Sequence, residues 1–308
     1  MSQQKSFRSR NATFCFESRF RRMISKLQPT EAGVQRHASR ASKHNLTTLR
    51  SADLGAMDHR RPVCSSASAG SRHDAPPQDD DNSLSDGMAS DWLVWQLADS
   101  AFPTGGFAHS GGLEAAWQQG EIQSSNALAE FIAVHLAQTG RAALPFLNEA
   151  FHETQPFATL DRLAEAFLSN HVANRGSRAQ GQAFLFGAAH AFPSPALTAF
   201  RRKLLGEKLP GHFAPVFGVV VRAVGISHAL GVRLYLFLAL RSLLGSAVRL
   251  GIVGPMAAQA LQSSLAGDAE QIGLRCASLR VADAAQISPV LDVLHGAHDR
   301  LYSRLFQT

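Results

Sequence analysis

Cysteine is scarce in this chain. Cys15, Cys64 and Cys276 are an odd number with no metal-like spacing, which argues against a disulfide framework and points to a reducing compartment. Alternating β patterns are also scarce, and the one β-branched triplet, Val219-Val220-Val221, sits in an otherwise helical stretch and reads as buried helix. Long apolar runs are missing. The most apolar region, 216–250, is broken by Arg222, His228, Arg233, Arg241 and Arg249, and its longest uninterrupted run is Leu234 to Leu240. That is far short of the roughly 20 residues of a spanning helix, so no membrane partner is expected. No secretory apolar core of about 7 to 15 residues stands near the N-terminus.

What the chain does have is the run Asp99-Ser-Ala-Phe-Pro-Thr-Gly-Gly-Phe-Ala-His-Ser-Gly-Gly-Leu-Glu114, two glycine pairs bracketing an aromatic residue and a histidine. Pro103 fixes its own φ and disfavours helix at Phe102, while the glycines admit conformations and close approaches that a Cβ forbids. Apolar helical stretches flank the run, Trp92 to Leu97 before it and Leu113 to Trp117 after it, so it joins helix to helix. A phosphate cradle needs a buried strand in front and, in a P-loop, a Lys-Ser/Thr pair, and neither is present. The absence of a βαβ pattern likewise argues against a dinucleotide fingerprint.

Charge divides the chain. The first 75 residues hold 14 Lys or Arg against 5 Asp or Glu, and residues 76–308 hold 16 against 19, so the net charge of +6 is +9 from the head and −3 from the body. The basic balance therefore says little about the body's folded surface, and nucleic acid is not an expected partner. The head is rich in Ser, Arg and Gln and passes into Ala75-Pro-Pro-Gln-Asp-Asp-Asp81, so residues 1–87 are expected to be a disordered extension and linker. Its first 26 residues are Arg-rich and acid-poor, which fits an organelle transit peptide, a retained extension or a misplaced start codon.

Residues 88–308 are expected to form one all-α domain of about eight to ten helices. Leu128, Phe131, Ile132 and Leu136 make one apolar stripe, and Leu160, Leu163, Ala164, Phe167 and Leu168 another. Ser124 to Asn126 offer N-caps, Gly120 can close the helix before them, and Pro145 should kink or divide the segment from Ala127 to His152.

Catalytic constellations are thin. His109-Ser110 places a base beside a hydroxyl, but adjacency does not create the required hydrogen bond and no nucleophile elbow surrounds Ser110. Asp292, His295, His298 and Asp299 would share one face of a continuous helix and could offer imidazoles and carboxylates to a metal, although Gly296 weakens that helix. The other reading is a polar helix flank. The C-terminal stretch Leu301-Tyr-Ser-Arg-Leu-Phe306 interleaves aromatic and apolar residues with Arg, the residue types of interface hot spots. Two readings stay open there: a tail that orders on a partner, and a tail packed on its own domain.

The run from Asp99 to Glu114 resembles the signature of the urease accessory protein F (UreF) family. Further collinear matches are Asn174-Arg-Gly-Ser-Arg-Ala-Gln-Gly181, Gly211-His-Phe-Ala-Pro-Val-Phe-Gly218, Ser246-Ala-Val-Arg-Leu250 with Gly254-Pro255, and Tyr302-Ser-Arg-Leu-Phe306. The Gly254-Pro255 variant and the long head look more like plant or algal members than bacterial ones. The resemblance implies an all-α, cytoplasmic homodimer with no catalytic activity and no cofactor of its own. It also implies that the protein binds the accessory protein docked on apo-urease (D or H) and, with it, recruits the nickel-carrying GTPase (accessory protein G). By the same resemblance Arg300, Tyr302, Arg304 and Phe306, with Arg175 and Arg178, would meet the D/H partner. The Thr104–Glu114 loop, with His109 in it, would shape the surface for the GTPase. The alternative is a metal-binding protein using His295 and His298.

Overall fold

The computed structural model describes residues 91–308, and the expected extension and linker at 1–87 lie outside the described residues. A helical segment at 91–98 precedes ten α-helices, and no strand occurs among the described residues. The ten are α1 (Leu113–Gln118), α2 (Ser125–Ala142), α3 (Leu144–His152), α4 (Phe157–Phe167), α5 (His171–Ala191), α6 (Pro195–Gly206), α7 (Phe213–Ala223), α8 (His228–Arg249), α9 (Pro255–Cys276) and α10 (Pro289–Gly296).

Local chemistry sets these boundaries. Ser124 caps α2 by accepting from the Ala127 amide at 3.1 Å. Pro145 divides the long apolar stretch as its ring requires: α2 ends at Ala142 and α3 begins at Leu144 with Pro145 in its first turn, where no amide hydrogen is needed. α7 forms the centre, packed chiefly between α3 and α5, which is why it is apolar around almost its whole circumference and why Val219-Val220-Val221 is helical. Its contact with α3 depends on Gly218, where a Cβ would lie 2.4 Å from the Leu147 carbonyl oxygen. α8 and α9 pack on each other and on α2.

α8 is the one helix among the described residues long and apolar enough to cross a membrane. More than half of its most apolar stretch is buried against neighbouring helices, and enclosure accounts for its composition. Its arginines are engaged: Arg233 forks onto Glu270, Arg241 donates to the Ala98 carbonyl, and Arg249 donates to the Phe107 carbonyl.

The Asp292–Asp299 row does not lie on one helix. α10 ends at Gly296 and Ala297–Arg300 continue as a 3-10 turn, whose tighter winding breaks the 3.6-residue register. Among the described residues no three His, Cys, Asp or Glu side chains gather around a point able to hold a metal ion.

Candidate functional site

The glycine-rich connector lies along α8, and α8 supplies what its backbone lacks. A loop of this kind carries carbonyls with no secondary-structure partner, which need donors once covered. Ser242 Oγ donates to the Gly106 carbonyl at 3.2 Å, Ser246 Oγ to the His109 carbonyl at 3.4 Å, and Arg249 to the Phe107 carbonyl. Positions 242, 246 and 249 fall four and three apart, so one helical face holds the loop. Gly111 and Gly112 turn the chain into α1 with φ of 61° and 87°, in the left-handed region that L side chains avoid. A Cβ on Gly112 would also meet the His295 backbone at 3.1–3.2 Å.

The C-terminal segment folds back onto this connector. The Gln307 amide donates to the Ala108 carbonyl at 2.8 Å, and the Ser110 amide donates to the Thr308 carbonyl at 2.7 Å. Ser110 Oγ reaches the same carbonyl at 3.2 Å, and His109 Nδ1 bonds Thr308 Oγ1. From α1, Glu114 accepts from the Leu305 amide at 2.7 Å and the Phe306 amide at 3.2 Å, and Gln118 donates to the Ser303 carbonyl at 2.9 Å. The Phe306 ring then covers the Arg249 guanidinium at 4.2 Å from its centroid, while Phe107 covers it at 3.7 Å. Arg249 thus bridges loop and tail as a cation between two π faces.

Glu114 is almost fully buried, and a carboxylate there requires compensation. The two tail amides supply part of it. His298, wholly enclosed, adds its Nε2 at 3.3 Å from Glu114 Oε2, within ion-pair distance but without hydrogen-bond alignment. Next to it, Asp299 accepts a two-pronged contact from Arg175 at 2.8 and 3.2 Å, with His171 at 3.0 Å and Arg304 at 3.6 Å. The Arg175 hydrogen bonds, against some desolvation, hold the Asp299 carboxyl at about 2, below the usual 3.8. Arg178 lies 3.7 Å from Glu165, whose other oxygen takes His212 Nε2 at 2.7 Å.

Beneath the tail lies a cavity of about 230 Å³ lined by His109, His135, Tyr235, Ser242, His295 and Thr308 among others. Its imidazoles are neutral at physiological pH: burial lowers His135 to about 4, and burial with the neighbouring imidazoles and Arg175 lowers His295 to about 3. On the outer side of the connector a larger groove of about 550 Å³ runs past Phe102, Thr104, Phe107, Arg241 and Met256, with Phe107 and Met256 largely exposed.

The residues expected at a partner surface therefore divide in two. Arg300, Tyr302 and Arg304 are exposed, Tyr302 completely, and the half-exposed Leu305 side chain lies near them in sequence. Arg175 and Arg178 are exposed as well, and Thr104 is half-buried. Phe306 and Glu114 are buried and His109 is largely covered; they hold the tail from below. Of the two readings of the C-terminal stretch, the structure has the tail packed on its own domain. Sequence reasoning passed over Asp299 as an ion-pair hub for Arg175, and it did not single out His135 or Ser242. The spacing of Ser242, Ser246 and Arg249 on one face of α8 was the signal available for the last of these.

Fold and site together define an all-helical domain whose C-terminal segment is strapped over a glycine-rich connector. The UreF family model matches residues 122–266. Urease accessory protein F of rice (Oryza sativa subsp. indica) is 40% identical over 231 residues, 74% of this chain and 88% of the relative. Urease accessory protein F of Arabidopsis thaliana is 40% identical over 219 residues, 70% of this chain and 91% of the relative. Urease accessory protein UreF of an Arthrobacter species is 32% identical over 217 residues, 69% and 95% of the two chains. The chain belongs to the UreF family of urease accessory proteins, with a role in urease maturation.

Proposed function

We propose that this protein is a non-catalytic scaffold for urease maturation. Acting as a cytoplasmic homodimer, it binds the accessory protein D/H on apo-urease and, with it, recruits the nickel-carrying GTPase G, so that Ni²⁺ is delivered in a GTP-dependent step. Nickel is cargo in this reading.

The observation that carries the reading is the way the tail is fixed. Its backbone amides go to Glu114 and the connector, while Tyr302 and the Arg300 and Arg304 side chains are left at the surface. A preordered strap with an exposed Tyr and two Arg offers the residue types that dominate interface energies without the entropy loss of ordering a free tail. Arg175 and Arg178 extend that surface toward D/H. The connector, with Thr104 and the exposed Phe107, is the surface assigned to the GTPase.

Co-expression of the chain with D/H and the GTPase, followed by size exclusion with light scattering, tests the reading. A stable complex built on two copies of this chain is the expected result. Separate elution of folded partners would overturn it.

A further inference from the structure

Away from the tail, two imidazoles meet where α3 ends and α8 begins. His152 is the last residue of α3 and His228 the first of α8; their ring centroids are 4.7 Å apart with planes at 47°. Phe151 packs beside both, at 5.2 Å from His152 and 5.1 Å from His228. His152 is exposed, so the pair opens to solvent.

The tautomer of His228 follows from its surroundings. Asn148 Nδ2 donates to the Cys276 and Leu279 carbonyls, both at 2.9 Å, which uses both amide hydrogens and fixes the amide's orientation. Asn148 Oδ1 then faces His228 Nε2 at 2.9 Å. An amide oxygen only accepts, so Nε2 carries the hydrogen and Nδ1 keeps a free lone pair. Burial, and then the nearby His152, lower the His228 imidazole below its ordinary range, so this ring is neutral at physiological pH.

We propose that His152 and His228 form a two-imidazole site for a divalent transition ion, with His228 Nδ1 as one ligand and solvent completing the coordination. A metal-bound imidazole usually donates its other N–H to a fixed acceptor, and Asn148 Oδ1 is that acceptor already in place. The spacing lets the two rings share one ion. With metal–nitrogen bonds of about 2.1 Å, two imidazole centroids sit about 4.6 Å apart for cis ligands at a right angle and about 5.3 Å apart for a tetrahedral pair. The observed 4.7 Å is within a small side-chain adjustment of both arrangements, and a pair of imidazoles suits borderline ions such as Ni²⁺, Cu²⁺ and Zn²⁺. The adjacent Glu153 is paired with Arg222, so the local charge is balanced. The C-terminal end of the α3 dipole favours a cation beside His152. This site is separate from the tail and does not depend on the scaffold reading.

The test is titration of the full chain, labelled with ¹⁵N at its histidines, with Ni²⁺ alone, following imidazole signals by NMR and affinity by calorimetry. The first equivalent is expected to broaden His152 and His228 before any other histidine. His152→Ala should weaken this binding by tenfold or more, and so should His228→Gln, whose amide can still donate to Asn148. Both variants should melt close to the parent. First broadening at other histidines, or unchanged affinity in His152→Ala, overturns the proposal.

Discussion

The Glu114 carboxylate binds the main chain of Leu305 and Phe306, so a buried acid in the first turn of α1 fixes a segment 191 residues further along the chain. The contact reads backbone amides, which leaves the tail's outward side chains free to differ. Replacing Glu114 with Gln removes the charge and turns one acceptor into a donor facing an amide hydrogen. The expected local loss is about 2 kcal/mol, within the range of about 1.5–3 kcal/mol for hydrogen bonds to a charged group. Hydrogen exchange should show the Leu305 and Phe306 amides opening about 30-fold or more while α7 stays protected. Unchanged exchange at those amides would mean that Glu114 does not anchor the tail.

Arg249 should not be replaceable by Lys. A planar guanidinium can stack between Phe107 and Phe306 and still donate to the Phe107 carbonyl, whereas an ammonium offers a point charge without a stacking face. Arg249→Lys and Arg249→Ala are both expected to raise tail exchange, by about 1 kcal/mol or somewhat more. Full protection in the Lys variant would mean that charge alone secures the tail.

Acid should weaken the domain in two windows. His135 and His295 are held at about 4 and about 3 when folded, against 6.5 when unfolded, so the unfolded chain takes up protons first. Their contribution is complete above about pH 6.5 and is lost as pH falls toward 4 and 3, on the order of 3 kcal/mol for His135 and somewhat more for His295. Asp299, lowered to about 2 chiefly by Arg175, contributes above about pH 3.8 and loses that contribution as pH falls toward 2. Denaturant melts from pH 7 to 4 should show the first loss, and a His135→Asn variant that keeps its fold should show a shallower slope.

Much of the helical scaffold was legible because local signals agreed with tertiary need. Ser124 caps where a cap was expected, Pro145 falls in the first turn of α3, and the valine triplet is helical because α7 is enclosed by α3 and α5. The tail was not legible. Its anchors are main-chain amides and carbonyls, which leave no side-chain pattern, and their partners lie nearly 200 residues away. The Asp292–Asp299 row misleads for a related reason. A change from α to 3-10 winding after Gly296 alters which side chains share a face without altering their spacing in sequence. One clue was present: Glu114 is an acid inside the apolar run Leu113-Glu-Ala-Ala-Trp117, and a buried acid needs a partner.

Gly218→Ala should destabilise the domain without touching the tail. Its methyl group would press on the Leu147 carbonyl at 2.4 Å, and α7 and α3 would have to separate. Overpacking of this kind costs about 1–3 kcal/mol or more, a fall of several degrees in melting temperature. An unchanged melt would show that the α3–α7 contact gives way easily.

In the proposed scaffold, the tail already folded onto its own domain presents the surface that meets the D/H partner. The direct measurement is calorimetric affinity of D/H for the full chain, for the chain truncated after Arg300, and for Tyr302→Ala, whose side chain is fully exposed. Truncation is expected to abolish detectable binding and Tyr302→Ala to weaken it by about tenfold or more, as for an interface hot spot, with the helical melt of Tyr302→Ala unchanged. Equal affinity for all three proteins would contradict it.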